Sequence, residues 1–464
     1  MMEALLLKSA AFESKPRVQK AVRPATAPNL AGMQAAAVRL PLCFVLTGLL
    51  SLLVSGCVLM AQPDLLAMYH YTPHLIAITH LFVLGFICSI VMGAMYQLVP
   101  VTLETQIFSE RLVKFQFGAH IIGFVGMVWA FWNFNMACVG VFGSVLTLGV
   151  VLFVFNLACT LAKVKRWNTI KFGITSALLW LSATVAAGLF VTASKFWNFF
   201  AFQPVAAMHA HAHLGVVGVF VLMIVTVSYK LVPMFTLSEL QNERRAWCSV
   251  ALINIGLVGV FITVLFQEPF KPLFALVTIS GFLLYGWEIV AILRARNRRV
   301  LDWGMKYFLT SIALLVPLAI LALALSWSGL PVNAVAMQLE SVYGLLGLLG
   351  LVGLAILGML YKIVPFLVWF HSYSRHIGRA RVPALADMYS VPLQIAGYWT
   401  FLAGLAGLCL ATAWSHPVGI RWGGGLLVLS LAIFALNMGK ILAHFVRPRV
   451  EPFAKRSNPA IKTL

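Results

Sequence analysis

The sequence predicts an all-α, polytopic membrane protein with about twelve transmembrane helices in three repeated four-helix units. Three observations lead there. Over 464 residues, 61% are hydrophobic and only 10% are charged, too apolar for a chain that folds in water. The apolar residues form many uninterrupted runs of bilayer-spanning length, roughly 20 residues each. These runs are continuous and rich in Leu, Val and Gly rather than alternating, so helices, not β-barrel strands, must satisfy the backbone inside the membrane. Third, the pentapeptides Tyr96-Gln97-Leu98-Val99-Pro100, Tyr229-Lys230-Leu231-Val232-Pro233 and Tyr361-Lys362-Ile363-Val364-Pro365 close apolar runs at separations of 133 and 132 residues, the mark of an internal repeat.

Residues 1–36 carry Lys8, Lys15, Arg17, Lys20 and Arg23 among Ala, Pro and Ser, and Leu5-Leu6-Leu7 is too short for a signal-peptide core, so this segment reads as a flexible basic tail. The membrane domain covers 37–447, with spans expected at 38–61, 74–101, 112–136, 137–162, 172–194, 206–233, 246–268, 271–295, 303–327, 335–365, 389–414 and 420–446. A second basic tail, 448–464, follows. The repeat units are about 38–162, 172–295 and 303–446.

The formal charge of +20 does not indicate nucleic acid, because the basic residues lie in short clusters between apolar runs. Lys163, Lys165, Arg166 and Lys171 after span four, and Arg294, Arg296, Arg298, Arg299 and Lys306 after span eight, place both loops in the cytoplasm. Arg244 and Arg245 after span six, Arg375, Arg379 and Arg381 after span ten, and Arg447 and Arg449 after span twelve agree. Both termini are thus expected inside, in a bacterial inner membrane, with the lipid bilayer as the first partner. Seven cysteines occur singly with no CxxC pattern, so neither a zinc site nor covalently attached haem is encoded.

Chemistry concentrates in Met208-His209-Ala210-His211-Ala212-His213, which opens span six and holds three of the eleven histidines. Imidazoles at the mouth of a membrane segment are costly unless they face water, a partner or a metal. His80, His213 and Leu345 each stand sixteen residues before a repeated tyrosine, ~24 Å at 1.5 Å per residue, so His80 and His213 share a depth near the outer face. Two parallel spans with imidazoles at one level can supply both axial ligands of a haem iron. A neutral histidine bonded across helices explains each of them equally well.

His209 and His213 lie on one helical face, with His211 ~200° away. A regular helix cannot bring all three to one ion. Met208 would add a soft copper ligand, and His70 and His74 at the outer end of span two can extend a metal-handling patch. The alternative for these residues is a wet helix mouth. Glu288 in span eight and Glu340 at the mouth of span ten are acids at membrane depth, where a carboxylate often marks a proton path. Glu288 can equally reach the cytoplasmic interface beside Arg294. For the repeated pentapeptides the expected roles are structural: Tyr in the interfacial belt, Lys230 and Lys362 snorkelling, and Pro ending the helix.

The twelve spans, the three-fold repeat and the stretches THLFVLGF (79–86) and HAHLGVVGVF (211–220) resemble subunit I of the haem-copper oxidase superfamily, in particular relatives of the C-type oxidases, over essentially 38–446. The resemblance implies that His80 matches the low-spin haem ligand of span two and that His209, His211 or His213 is available as the copper ligand of span six. That family also needs a histidine pair at the start of span seven and an H-x-H pair on span ten. This chain has no histidine between 214 and 370, and the repeat-equivalent positions on span ten are Tyr343 and Leu345. The resemblance therefore implies the scaffold with at most a subset of its metal sites.

Three functions follow as expectations. The first is a haem b protein, ligated by His80 and His213, for electron transfer or gas sensing and served by an electron-donor protein. The second is a copper or haem handling and assembly protein using His70, His74, Met208, His209 and His211. The third is a structural subunit of a respiratory complex.

Overall fold

A computed structural model describes residues 36–197, 202–331 and 333–452. The expected tail 1–36 therefore lies almost wholly outside the described residues, as do 453–464 of the second tail. Twelve helices are long and apolar enough to cross a membrane: α1 (Arg39–Ala61), α2 (Pro73–Pro100), α3 (Glu110–Trp132), α4 (Met136–Ala162), α5 (Thr169–Ala193), α6 (Pro204–Thr236), α7 (Glu243–Leu265), α8 (Lys271–Arg294), α9 (Trp303–Ser326), α10 (Ala334–His376), α11 (Val391–Ala413) and α12 (Pro417–Val446). This is an all-α polytopic membrane protein. Its helix starts are locally written: Ser109, Asn135, Asn168, Asn242, Asp302 and Asn333 each accept a backbone N–H two or three residues into the following helix. In α9 the α-helix breaks at Leu314, where Pro317 offers no N–H to the preceding turn.

Helices α2, α6 and α10 form the inside of the bundle, with 61, 72 and 61% of their apolar windows buried against 44% or less for the other nine. They run in the same direction. His70 just before α2 meets His209 and Ser341 near the starts of α6 and α10, whereas deeper in the bundle Phe82 and Phe86 meet Gly353, and Lys362 lies over Phe235. Each of the three is interrupted by a π-helical segment: Leu81–Cys88, Leu214–Val221 and Leu346–Gly353. These begin one residue after His80, His213 and Leu345, and the α10 segment touches the other two. A π segment fits an extra residue into the turn and is frequent at functional sites.

The pairs α3/α4, α7/α8 and α11/α12 are the tightest antiparallel hairpins, closed by Gly123 on Leu146, Gly256 on Thr278 and Gly404 on Leu427. A Cβ on Gly256 would lie 2.6 Å from the Thr278 backbone nitrogen, and backbone cannot rotate away. Gly256→Ala is therefore expected to cost about 1–3 kcal/mol by overpacking, measured as a fall in Tm of the purified protein in detergent.

The far end of the bundle carries the basic loops. There a clamp occurs three times at a separation of 47 residues. Asn156 accepts from Ser109 N and donates to Ser109 O (3.0 and 2.9 Å), and Asn437 does the same with Ser390 (2.7 and 2.9 Å). In the middle, Glu288 accepts from Gln241 N and Asn242 N at 2.7 and 3.0 Å and pairs with Arg245 at 3.2 Å. Glu288 is fully buried beneath the α6–α7 loop and is the carboxylate version of the amide clamp, paired with Arg245. The repeated tyrosines belong to the same system and not to an interfacial belt. Tyr96, Tyr229 and Tyr361 are 6, 3 and 2% exposed, and Tyr229 and Tyr361 bond Ser249 and Asn437. Lys362 pairs with Asp302 instead of snorkelling, and Pro233 and Pro365 lie inside their helices rather than ending them. A two-residue antiparallel bridge, β1 (Ala380–Arg381) with β2 (Glu451–Pro452), ties the end of the described chain to the α10–α11 loop.

Candidate metal centre

Three chain segments distant in sequence meet at the opposite end, the mouth. His70 precedes α2, held in a loop that Thr72 terminates by capping the helix. His209 lies in the second turn of α6, and Glu340 in the second turn of α10. The Nε2 atoms of His70 and His209 are 3.0 Å apart, and both approach a Glu340 carboxylate oxygen, at 3.9 and 4.0 Å. One donor atom from each falls within a 4.8 Å group. Ser341 Oγ stands 3.5 Å from His70 Nδ1, and Tyr69 packs its ring at 4.4 Å. Burial holds the His70 imidazole below its ordinary value of 6.5, so at neutral pH it is the free base that a metal needs. Lys271, the first residue of α8, acts electrostatically on both His209 and Glu340.

With ligand bonds of about 2.0–2.1 Å, neighbouring donors around one ion sit roughly 3 Å apart. The two nitrogens already have that spacing, and the carboxylate oxygen, at 3.9 and 4.0 Å, would have to move toward them.

Each remaining histidine of the mouth has its own setting. His74 is packed edge-on against Trp132 and Phe134, at 4.7 and 5.1 Å, as an aromatic wall. His211 projects from the other face of α6 onto Gly188 of α5 and is close enough to His80 to interact electrostatically; its Nδ1 has no hydrogen-bond partner. Met208 is half-buried in the same turn as His209. His80 and His213 are configured alike: each Nδ1–H donates to the carbonyl four residues earlier, Ile76 at 2.8 Å and His209 at 2.7 Å. That bond fixes the tautomer and leaves Nε2 as a lone-pair donor, the usual arrangement of a metal-ligating histidine. Their rings engage different neighbours, His80 stacking on Phe131 at 4.9 Å and His213 on Tyr343 at 6.1 Å. The glycines of α2 and α6 open no slot between these two helices: Gly85 faces Ser51 of α1 and Phe124 of α3, Gly218 faces Trp180 of α5 and Leu257 of α7, and Gly215 faces Thr184 of α5. Open space lies on α10 instead: a Cβ on Gly344 would meet nothing within 4 Å, and one on Gly347 only Leu318 at 3.9 Å.

A groove of about 550 Å³ between α5, α6 and α7, lined by Ala183, Ala187, Ala207 and Leu214, has no histidine or carboxylate on its walls and is separate from this chemistry.

No protein-family model matches this chain, and no curated protein matches it in sequence. In three dimensions it superposes on a heme-copper terminal oxidase whose dimer was solved by cryo-EM, with a TM-score of 0.63 over 90% of this chain and 86% of that one, at 14% identity. The chain has a subunit I-like fold. Identity that low speaks for the fold alone, so the site must be judged on its own donors. Two of the metal candidates in the sequence, His70 and His209, are brought together, and the third donor, Glu340, was visible there only as an acid at membrane depth. Tyr343 gave no signal beyond its position in the repeat.

Proposed function

We propose that this subunit I-like membrane protein handles a transition-metal ion of the copper class at its mouth, which the positive-inside charges orient to the outside. The observation that carries this reading is the convergence of His70, His209 and Glu340 from three separate segments. Two neutral imidazoles and a carboxylate suit first-row ions, among which copper(II) binds nitrogen and oxygen donors most tightly. Binding needs no net loss of an imidazole proton: with Nδ1–H of His70 turned to Ser341 Oγ, both Nε2 lone pairs are available. Lys271 places a positive charge beside the ion, lowering affinity and favouring exchange over storage. Copper titration of the purified protein tests this, and an absence of binding, or binding unchanged in His70→Ala, rejects it.

A second reading, haem b on His80 and His213, is favoured by the matched Nδ1 bonds that leave both Nε2 atoms free. A haem would supply one-electron chemistry there. Against it, the two rings engage different helices, His80 on Phe131 of α3 and His213 on Tyr343 of α10, and neither Gly85 nor Gly218 opens a slot between α2 and α6. A reduced-minus-oxidised spectrum decides: haem retained in full after His80→Ala removes this reading, and protein with neither haem nor copper leaves the structural-subunit role.

In either case the chain is expected not to reduce oxygen. There is no histidine between 214 and 370, so α7 and the part of α10 before His371 lack the imidazoles that an oxygen-reducing centre needs there. Cyanide-sensitive oxygen uptake by the purified chain with a reductant would contradict this.

A further inference from the structure

The α5 wall of the groove between α5, α6 and α7 follows one helical face through Trp180, Ala183, Ala187, Val191 and Ser194, and ends at Lys195. From Trp180 to Lys195 is ~22 Å at ~1.5 Å per residue, half the ~40–45 Å thickness of a bilayer with its headgroups. With Lys195 at headgroup level, Trp180 therefore stands at mid-membrane depth. The space exists because Ala183 and Ala187 on α5 and Ala207 on α6 are small, leaving about 550 Å³ between the helices.

The interior of the groove is chemically spent. Trp180 donates its indole N–H to Asn254 Oδ1 at 2.7 Å, and the Ser194 hydroxyl donates to Val191 O at 2.8 Å. No other wall residue below Lys195 carries a polar side chain, so the channel suits an alkyl chain better than a ring with carbonyls that need donors.

The mouth end is different. Lys195 is exposed, and its bond to Tyr71 Oη at 3.2 Å leaves two of the three ammonium donors available. It is one of three Lys or Arg residues in or beside the loops at this end, with Lys271 and Arg421, whereas the basic clusters of the chain lie at the far end. Pro204, the first residue of α6, also lines the groove, and Gln203 before it makes no side-chain bond to the helix, so the positive end of α6 opens onto the same space. A positive rim over an apolar channel one leaflet deep is the complement of an anionic phospholipid. We propose that the groove holds one such lipid from the leaflet at the mouth end, with an acyl chain along Ala207, Ala187 and Ala183 down to Trp180 and its phosphate against Lys195. Phe202, whose ring centroid lies 6.2 Å from that of Phe190 and 5.6 Å from that of Phe266, supplies the apolar contact where the chain enters.

The test is native mass spectrometry of the full-length protein after exhaustive detergent exchange, followed by titration with phosphatidylglycerol and, in parallel, with phosphatidylcholine of the same acyl chains. The expected result is one phosphatidylglycerol held per chain, several-fold tighter than phosphatidylcholine, with a rise in Tm because the lipid binds only the folded protein. Lys195→Gln, at an exposed side chain, should weaken phosphatidylglycerol about five-fold and leave phosphatidylcholine unchanged. Ala187→Leu, which fills the groove, should abolish retention of either lipid and the Tm rise, while the lipid-free variant keeps the wild-type Tm; Ala183→Leu is the second filling variant. Lys195→Gln carries the test by itself if neither filling variant folds. Equal affinity for the two lipids, phosphatidylglycerol binding unchanged in Lys195→Gln, or lipid retained by a folded filling variant overturns the proposal. So does recovery of an isoprenoid quinone or a free fatty acid in place of the phospholipid.

Discussion

Replacing His209 with alanine is expected to weaken copper binding at the mouth by at least about 100-fold, because even outer-shell partners of metal ligands are worth 10–100-fold and His209 is a direct donor. Three donors leave no redundancy: His70 in the loop before α2 and Glu340 on α10 would remain, 3.9 Å apart, with the central nitrogen missing. Glu340→Gln should produce a smaller loss, since the amide oxygen still coordinates but the charge is gone. Lys271→Gln should go the other way and tighten binding by removing a neighbouring positive charge. The pH dependence follows from His70, which burial holds below 6.5. Its imidazole is unprotonated throughout the neutral range, so protons compete with copper only in more acid solution. Affinity is expected to stay level from about pH 8 to 6.5 and to fall below that as the free base is lost. Copper isotherms across this range check it, and a decline beginning well above pH 6.5 would show that His70 is not a ligand.

Glu288→Ala is expected to destabilise the fold by about 3–5 kcal/mol, the usual consequence of removing one partner from a buried ion pair. Glu288 is fully buried, and without it the Arg245 guanidinium loses its counter-ion while the Gln241 and Asn242 N–H groups lose their acceptor. The start of α7 would then lack its anchor to α8. Glu288→Gln keeps an oxygen for the two amides and should fall between wild type and alanine. Thermal unfolding in detergent measures the series. Equal stability of all three proteins would refute the clamp, and restore the idea of a carboxylate kept for proton movement.

Much of this was legible in the chain. The mouth histidines and the difference between the two faces of α6 follow from helical spacing: the structure sends His209 and His213 one way and His211 the other, onto α5. The repeated tyrosines were visible as a period but misread in role. Their ring chemistry suits a membrane interface, and nothing local shows that Asn437 or Ser249 will wait for the hydroxyl inside the bundle. Glu288 was ambiguous for the same reason: an acid six residues from Arg294 reads as interfacial until the α6–α7 loop is seen folded over it.

By itself the sequence determined the membrane class, the twelve helices and the subunit I-like resemblance, because these depend on hydropathy and on pattern along the chain, which are local quantities. Only the tertiary structure decided which donors share an ion. His70 and Glu340 are 270 residues apart, and their meeting depends on the rotation of α10 about its axis and on the loop before α2. The same holds for the π segments under His80 and His213, where a change of winding re-aims the side chains. Rotation and winding are set by packing among all twelve helices, and no single helix carries that information in its own residues.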